Sequence, residues 1–137
     1  MATNSNPNIS REPDYSDIDL YFQINPITKD INKLTGNDAI KRSIRSLIFT
    51  EYYERPFRSN IGSDVSRLLF ENVDPVTGVL LQNAITTLIN TFEPRVQLTS
   101  VVVQADMDNH GFKIQIVYTI INTSQPATIN LFLEKVR

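Results

Sequence analysis

A chain of 137 residues suits one domain, expected to bury about two-thirds of the surface its unfolded form exposes. Thirteen basic residues against fifteen acidic ones leave a net charge of −2, which excludes a global field drawing the chain to nucleic acid or to anionic lipid. With no cysteine and one histidine, disulfides, thiolate metal sites and a cysteine nucleophile are excluded, and a transition-metal site would need carboxylates almost alone; no cofactor is expected. The polar N-terminus lacks the apolar core of a signal peptide, and no apolar run reaches membrane-spanning length. These features fit a soluble protein made and used inside a cell.

Residues 1–14 are rich in Asn, Ser and Pro and nearly devoid of large apolar side chains, the composition of a mobile tail; a single domain is expected over 15–137. Ile18, Leu20, Phe22 and Ile24 then fall at every second position, the period of a strand buried on one face, and Pro26 makes it a short edge strand or an extended arm. Asn37 and Asp38 can cap a first helix over about 38–51, with Ile40, Ile44, Leu47 and Ile48 on one face and Lys41, Arg42 and Arg45 turned away. Residues 52–62, punctuated by Pro56 and Gly62, read as a loop whose aromatic residues pack. Ser63 or Asp64 caps a short helix with Val65, Leu68 and Leu69 on one side. Asp74-Pro75 is a helix-start pair, an acceptor followed by a residue that needs no donor. The third helix covers about 75–92, with Leu81, Ile85, Leu88, Ile89 and Phe92 on one stripe, and ends before Pro94.

The period then changes to two. Val96–Ala105 is β-branched, Phe112, Ile114, Ile116, Tyr118 and Ile120 alternate, and the residues between them have the composition of a hairpin loop. A third strand at about 127–135 puts Ile129, Leu131 and Leu133 on one face. Helices first and strands after give an α+β fold: three helices packed on one face of a three- to four-stranded, mainly antiparallel sheet, with the N-terminal strand as the optional fourth. Charge is uneven: residues 1–40 carry six acids and three bases, and 41–67 six bases and three acids. A solvated helix surface accounts for the basic stretch, and an acidic partner is the alternative.

Catalytic constellations are thin. His110 stands in the hairpin loop beside Gly111 without a nucleophile in a recognisable motif, and reads as a solvated turn residue. Glycoside hydrolysis needs only two carboxylates held across a bond. Asp17 and Asp19 would share a strand face, Glu51 and Glu54 end the first helix, and Glu71 ends the short one. Any two of these could meet in the fold, but fifteen scattered acids make such pairs common by chance. No phosphate-binding loop occurs among four glycines. Glu93-Pro94-Arg95 joins the third helix to the first long strand, where helix carbonyls lack partners. Arg95 can bond those carbonyls, and Glu93 can hold the guanidinium in a bidentate pair elsewhere in the fold, a capping role that is physically sufficient. Equally, a charged pair on a proline-fixed corner suits docking by another chain.

Together, Tyr15-Ser-Asp-Ile-Asp19, the Ile-Lys-Arg-Ser-Ile helix, Arg55-Pro-Phe57, Gly62, Leu68-Leu-Phe-Glu71, Glu93-Pro-Arg95 and the closing strands resemble the baseplate wedge, or sheath-initiator, family of contractile-tailed phages. That family has a counterpart in type VI secretion baseplates, and the resemblance spans about 15–137. It implies a structural, non-enzymatic virion protein assembled in the host cytoplasm, with Glu93, Pro94 and Arg95 docking on the helical core bundle of the wedge. It further implies a sheet that templates the first sheath ring by pairing a free edge with an incoming arm. Expected partners are other wedge proteins, the sheath subunit and the tail tube, with six copies in the baseplate ring, and neither nucleic acid nor membrane. Some members carry a lysozyme-like label, which makes a cell-wall-degrading baseplate enzyme the competing expectation; no motif supports it, and Glu51 with Glu71 is the least unsuited pair.

Overall fold

The computed structural model describes residues 15–121 and 124–136, and the expected N-terminal tail, 1–14, lies outside them. The elements run β1 (Ser16–Ile18), β2 (Lys33–Thr35), α1 (Gly36–Phe49), α2 (Val65–Leu68), α3 (Pro75–Phe92), β3 (Val96–Asp106), β4 (Gly111–Ile120) and β5 (Pro126–Glu134). The chain divides into two compact units, Met1–Ala39 and Ile40–Arg137.

In the first unit β1 pairs antiparallel with β2, Asp17 opposite Leu34. The expected strand buried on one face does not form. Its four apolar residues, Ile18, Leu20, Phe22 and Ile24, are all exposed; only Ser16–Ile18 pair with β2, in a two-stranded sheet distinct from β3-β4-β5. Local polar chemistry overrides the period: Asp19 Oδ1 accepts the Tyr21 N–H, Asn25 Oδ1 accepts the Ile27 N–H, and Phe22 takes a left-handed backbone at φ 52°. These are Asx turns, which offer the backbone an alternative to a ladder.

In the second unit the order β3-β4-β5 gives an antiparallel meander. Phe112, Ile114, Ile116, Tyr118 and Ile120 of β4 are buried, as the alternation requires. Register places Val101 opposite Ile116 and Ile129 opposite the same residue on the other side, so one apolar face runs across all three strands. The helices cover that face. α3 turns Leu81, Ile85, Leu88 and Ile89 inward. α1 buries Ile40, Ile44, Leu47 and Ile48. It starts at Gly36 (φ 58°), ahead of the expected Asn37 or Asp38.

Asp74 caps α3 by accepting the Thr77 N–H at 2.7 Å, with Pro75 in the first turn, and that bond holds its carboxyl below the usual value. Asp64 stands at the α2 N-cap without a side-chain capping bond. Ser63 instead donates its Oγ–H to the Ile48 carbonyl at the end of α1.

The β3–β4 hairpin is tied by Asp106. Its carboxylate pairs with Lys113 and accepts from Asn109 N–H and Nδ2. Lys113 first, then Asn109, lower its pKa from 3.8 to about 2. A depressed carboxylate stabilises the fold above its unfolded pKa and loses that contribution as pH falls through the folded value. The hairpin should therefore loosen between about pH 4 and pH 2. A carboxyl titration followed by NMR is expected to place Asp106 near 2 and to return it towards 3.8 in Lys113→Ala. An unshifted Asp106 in the wild type would refute the assignment.

Candidate functional site

The site is built from the turn where α3 hands over to β3. The Glu93 N–H still bonds the Ile89 carbonyl as the last link of the helix, and Pro94 then removes a donor and fixes the exit angle. Glu93 is buried, at 2% exposure, so its charge needs partners. Arg95 supplies two: its Nε donates to Glu93 Oε1, and its second terminal nitrogen donates to Oε2 at 2.7 Å. Ser43 on α1 donates its Oγ–H to Oε2 at 2.6 Å. The corner thus clamps α1 to the α3–β3 junction through a desolvated carboxylate, with an Arg95 side chain that remains 28% exposed. The bidentate pair forms between Glu93 and Arg95 themselves, at the corner. Ser43 had no sequence signal, because its partner lies fifty positions away.

A second feature is the sheet's margin. Lys135 N–H donates to the His110 carbonyl and Ile120 N–H to that of Gln125. With the β4–β5 register, these bonds fix the odd residues of β5 as the ones paired to β4. The N–H and C=O groups of Thr128, Asn130, Phe132 and Glu134 therefore point away from the sheet. Past the strand's end, the Val136 N–H is taken up by the Leu69 carbonyl after α2. Val102, Gln104, Lys113, Gln115, Asn130 and Phe132 line a shallow depression of about 840 Å³ on the sheet face opposite the helices.

The carboxylates weighed for hydrolysis lie elsewhere. Glu51 and Glu71 are both exposed. Glu51 borders a small depression of about 260 Å³ with Tyr52, Ser66, Arg67 and Phe70, whose lining does not include Glu71. Glu54 accepts the Glu51 N–H. Asp17 and Asp19 do not share a strand face, because β1 ends at Ile18 and Asp19 is buried while Asp17 is exposed. His110 occupies the hairpin turn with φ 51° and is exposed. Among the described residues there is no group of three or more His, Cys, Asp or Glu able to hold a metal, and no helix is long and apolar enough to cross a membrane.

Comparison with known proteins gives this geometry a family. Three solved structures share the fold. A crystal structure of a putative tail lysozyme from Geobacter sulfurreducens matches with a TM-score of 0.66 and 23% identity, over 72% of this chain and 89% of that one. The cryo-EM baseplate of the anti-feeding prophage matches at 0.61 and 21% identity, over 90% and 87%. The postcontracted baseplate of pyocin R2 matches at 0.54 and 18% identity, over 87% and 99%. In sequence, the chain is 32% identical over 108 residues to baseplate wedge protein gp25 of Enterobacteria phage T4, covering 79% of this chain and 81% of that protein. The family model for baseplate wedge protein gp25 matches residues 34–125, a span that includes α1, the 51–63 loop, the Glu93–Arg95 corner and the β3–β4 hairpin. The chain therefore belongs to the gp25 baseplate wedge protein family.

Proposed function

We propose that this protein is a structural component of the baseplate of a contractile tail, resident in the virion, which docks on the helical core of the wedge through Glu93, Pro94 and Arg95. It then offers the outer edge of β5, which has no strand partner among the described residues, as the template for the first ring of sheath. The outward-facing amides and carbonyls of β5 carry this reading. An unpaired strand edge is a hazard in a free protein and a binding surface in an assembly, where an extended arm completes the ladder. One copy per wedge gives six per ring, with other wedge proteins, the sheath subunit and the tail tube as neighbours. The role is non-enzymatic: Glu51 and Glu71, the pair weighed for hydrolysis, are both exposed and do not line one depression, whereas a hydrolase needs two carboxylates held across one bond.

The corner and the edge separate by mutation. Arg95→Ala alone strands a buried carboxylate, so the informative variant is the pair Glu93→Gln with Arg95→Ala, which keeps a partner for Ser43. It is expected to stay folded and to weaken co-elution with wedge proteins at least tenfold. Asn130→Pro removes an amide that points away from β4, a place where an edge strand tolerates proline. It should spare wedge binding and block sheath growth on isolated baseplates. Normal sheath growth on Asn130→Pro baseplates would sink the template role, and undiminished co-elution of the double variant would sink the docking role. Cell-wall hydrolysis by the purified protein that vanishes on replacing Glu51 or Glu71 would overturn the non-enzymatic reading.

A further inference from the structure

The loop between α1 and α2 contradicts the sequence expectation that its aromatic residues pack. Phe57 is fully exposed, at 106%, and Tyr53 is 84% exposed. Both adopt a left-handed backbone with φ 68°, a conformation that costs free energy for any residue with a β-carbon and that bulky side chains rarely take. The loop is nonetheless tightly made. Glu51 and Ser63 bridge its base, and the Ser63 N–H donates to the Thr50 carbonyl at 2.9 Å. Within it, Tyr53 N–H bonds Ser59 O, Arg58 N–H bonds Arg55 O, and Ile61 N–H bonds Arg58 O. A fixed loop thus spends strain on presenting an aromatic ring to water, the combination expected where a partner later covers the ring.

We propose that this loop is a second docking element, a rigid knob that seats Phe57 in an apolar socket rimmed by carboxylates on another protein of the tail. Arg55 and Arg58 flank the ring in sequence and supply the cationic rim, and aromatic residues with arginine are the side chains enriched in the cores of interfaces. Glu51 and Glu54 offset those two charges at a distance, so the loop carries no net long-range field towards the phosphates of nucleic acid or lipid, and its guanidinium groups act on carboxylates only in contact. That balance favours a protein socket over a membrane. The proposal rests on the chain's place in a baseplate, and it involves side chains that the Glu93–Arg95 clamp and β5 do not use.

The test exploits the strain. Phe57→Gly and Tyr53→Gly, made in the full chain, are expected to raise the melting temperature by about 2 °C or more, because glycine adopts this backbone freely. The same variants, and Phe57→Ala, should lower incorporation into baseplates purified from cells making the tail by about tenfold, as loss of an aromatic anchor does. Wild-type levels of incorporation in all three would overturn the proposal. So would a lowered melting temperature in the glycine variants, which would make the rings supports of the fold. Co-sedimentation of the wild-type protein with phosphatidylserine vesicles, abolished by Phe57→Ala, would overturn it in favour of a membrane contact. If the wild-type chain is itself missing from the particles, the baseplate reading fails and this proposal fails with it.

Discussion

Glu93→Ala is expected to lower the unfolding free energy by about 3 kcal/mol. The substitution leaves Arg95 and the Ser43 hydroxyl without the acceptor they share. A broken buried pair costs more than its net worth, because the remaining charge stays desolvated. Here Arg95 keeps 28% of its side chain in water and rehydrates in part, which places the loss at the lower end of the usual range. A double-mutant cycle between Glu93 and Arg95 should return a coupling of about 1.5 kcal/mol or more. The Asp64–Arg67 pair is the internal control: at 3.7 Å, with side chains 48% and 78% exposed, it should return less than about 0.5 kcal/mol. Equal couplings in the two cycles, measured by chemical denaturation, would show that the corner is an ordinary surface pair and not a clamp.

Gly62→Ala is expected to destabilise by a similar amount, about 3 kcal/mol. A β-carbon there would stand 2.5 Å from the Tyr52 nitrogen, 2.6 Å from the Glu51 carbonyl carbon and 2.7 Å from its oxygen. All three atoms are backbone, so no side-chain rotation relieves the clash, and the Glu51–Ser63 bridge must open. Equilibrium denaturation would register the loss, and proteolysis should cut first between residues 52 and 61. A stability change under about 0.5 kcal/mol would mean that the loop base yields without cost, and the rigidity assigned to the Phe57 knob would go with it. Within this chain the element Arg55-Pro56-Phe57 and Gly62 form one device, a projecting tip and the base that closes it.

The sequence by itself determined the parts of the fold whose signal is local. Asp74-Pro75 at one end and Pro94 beyond the other bracket α3 at Pro75–Phe92, because cap and breaker act within a turn. The alternation through Phe112–Ile120 determined which side of β4 is buried, since a strand's period of two cannot be reconciled with any other face. Tertiary structure decided what depends on partners far along the chain. The apolar alternation at Ile18–Ile24 predicted a buried face and was defeated by Asx turns that hold those residues in solvent. Aromatic content in the 52–62 loop predicted packing, and hydrogen bonds through its backbone set Tyr53 and Phe57 outward instead. Glu93 and Arg95 were legible as a charged corner, but that Glu93 is buried and also receives Ser43 follows from where α1 lands. That Thr128, Asn130, Phe132 and Glu134 turn their amides and carbonyls away from β4 also required the register of β4 against β5. A residue's local propensity is written in its neighbours; the desolvation of a charge or the openness of an edge depends on what the rest of the chain places beside it.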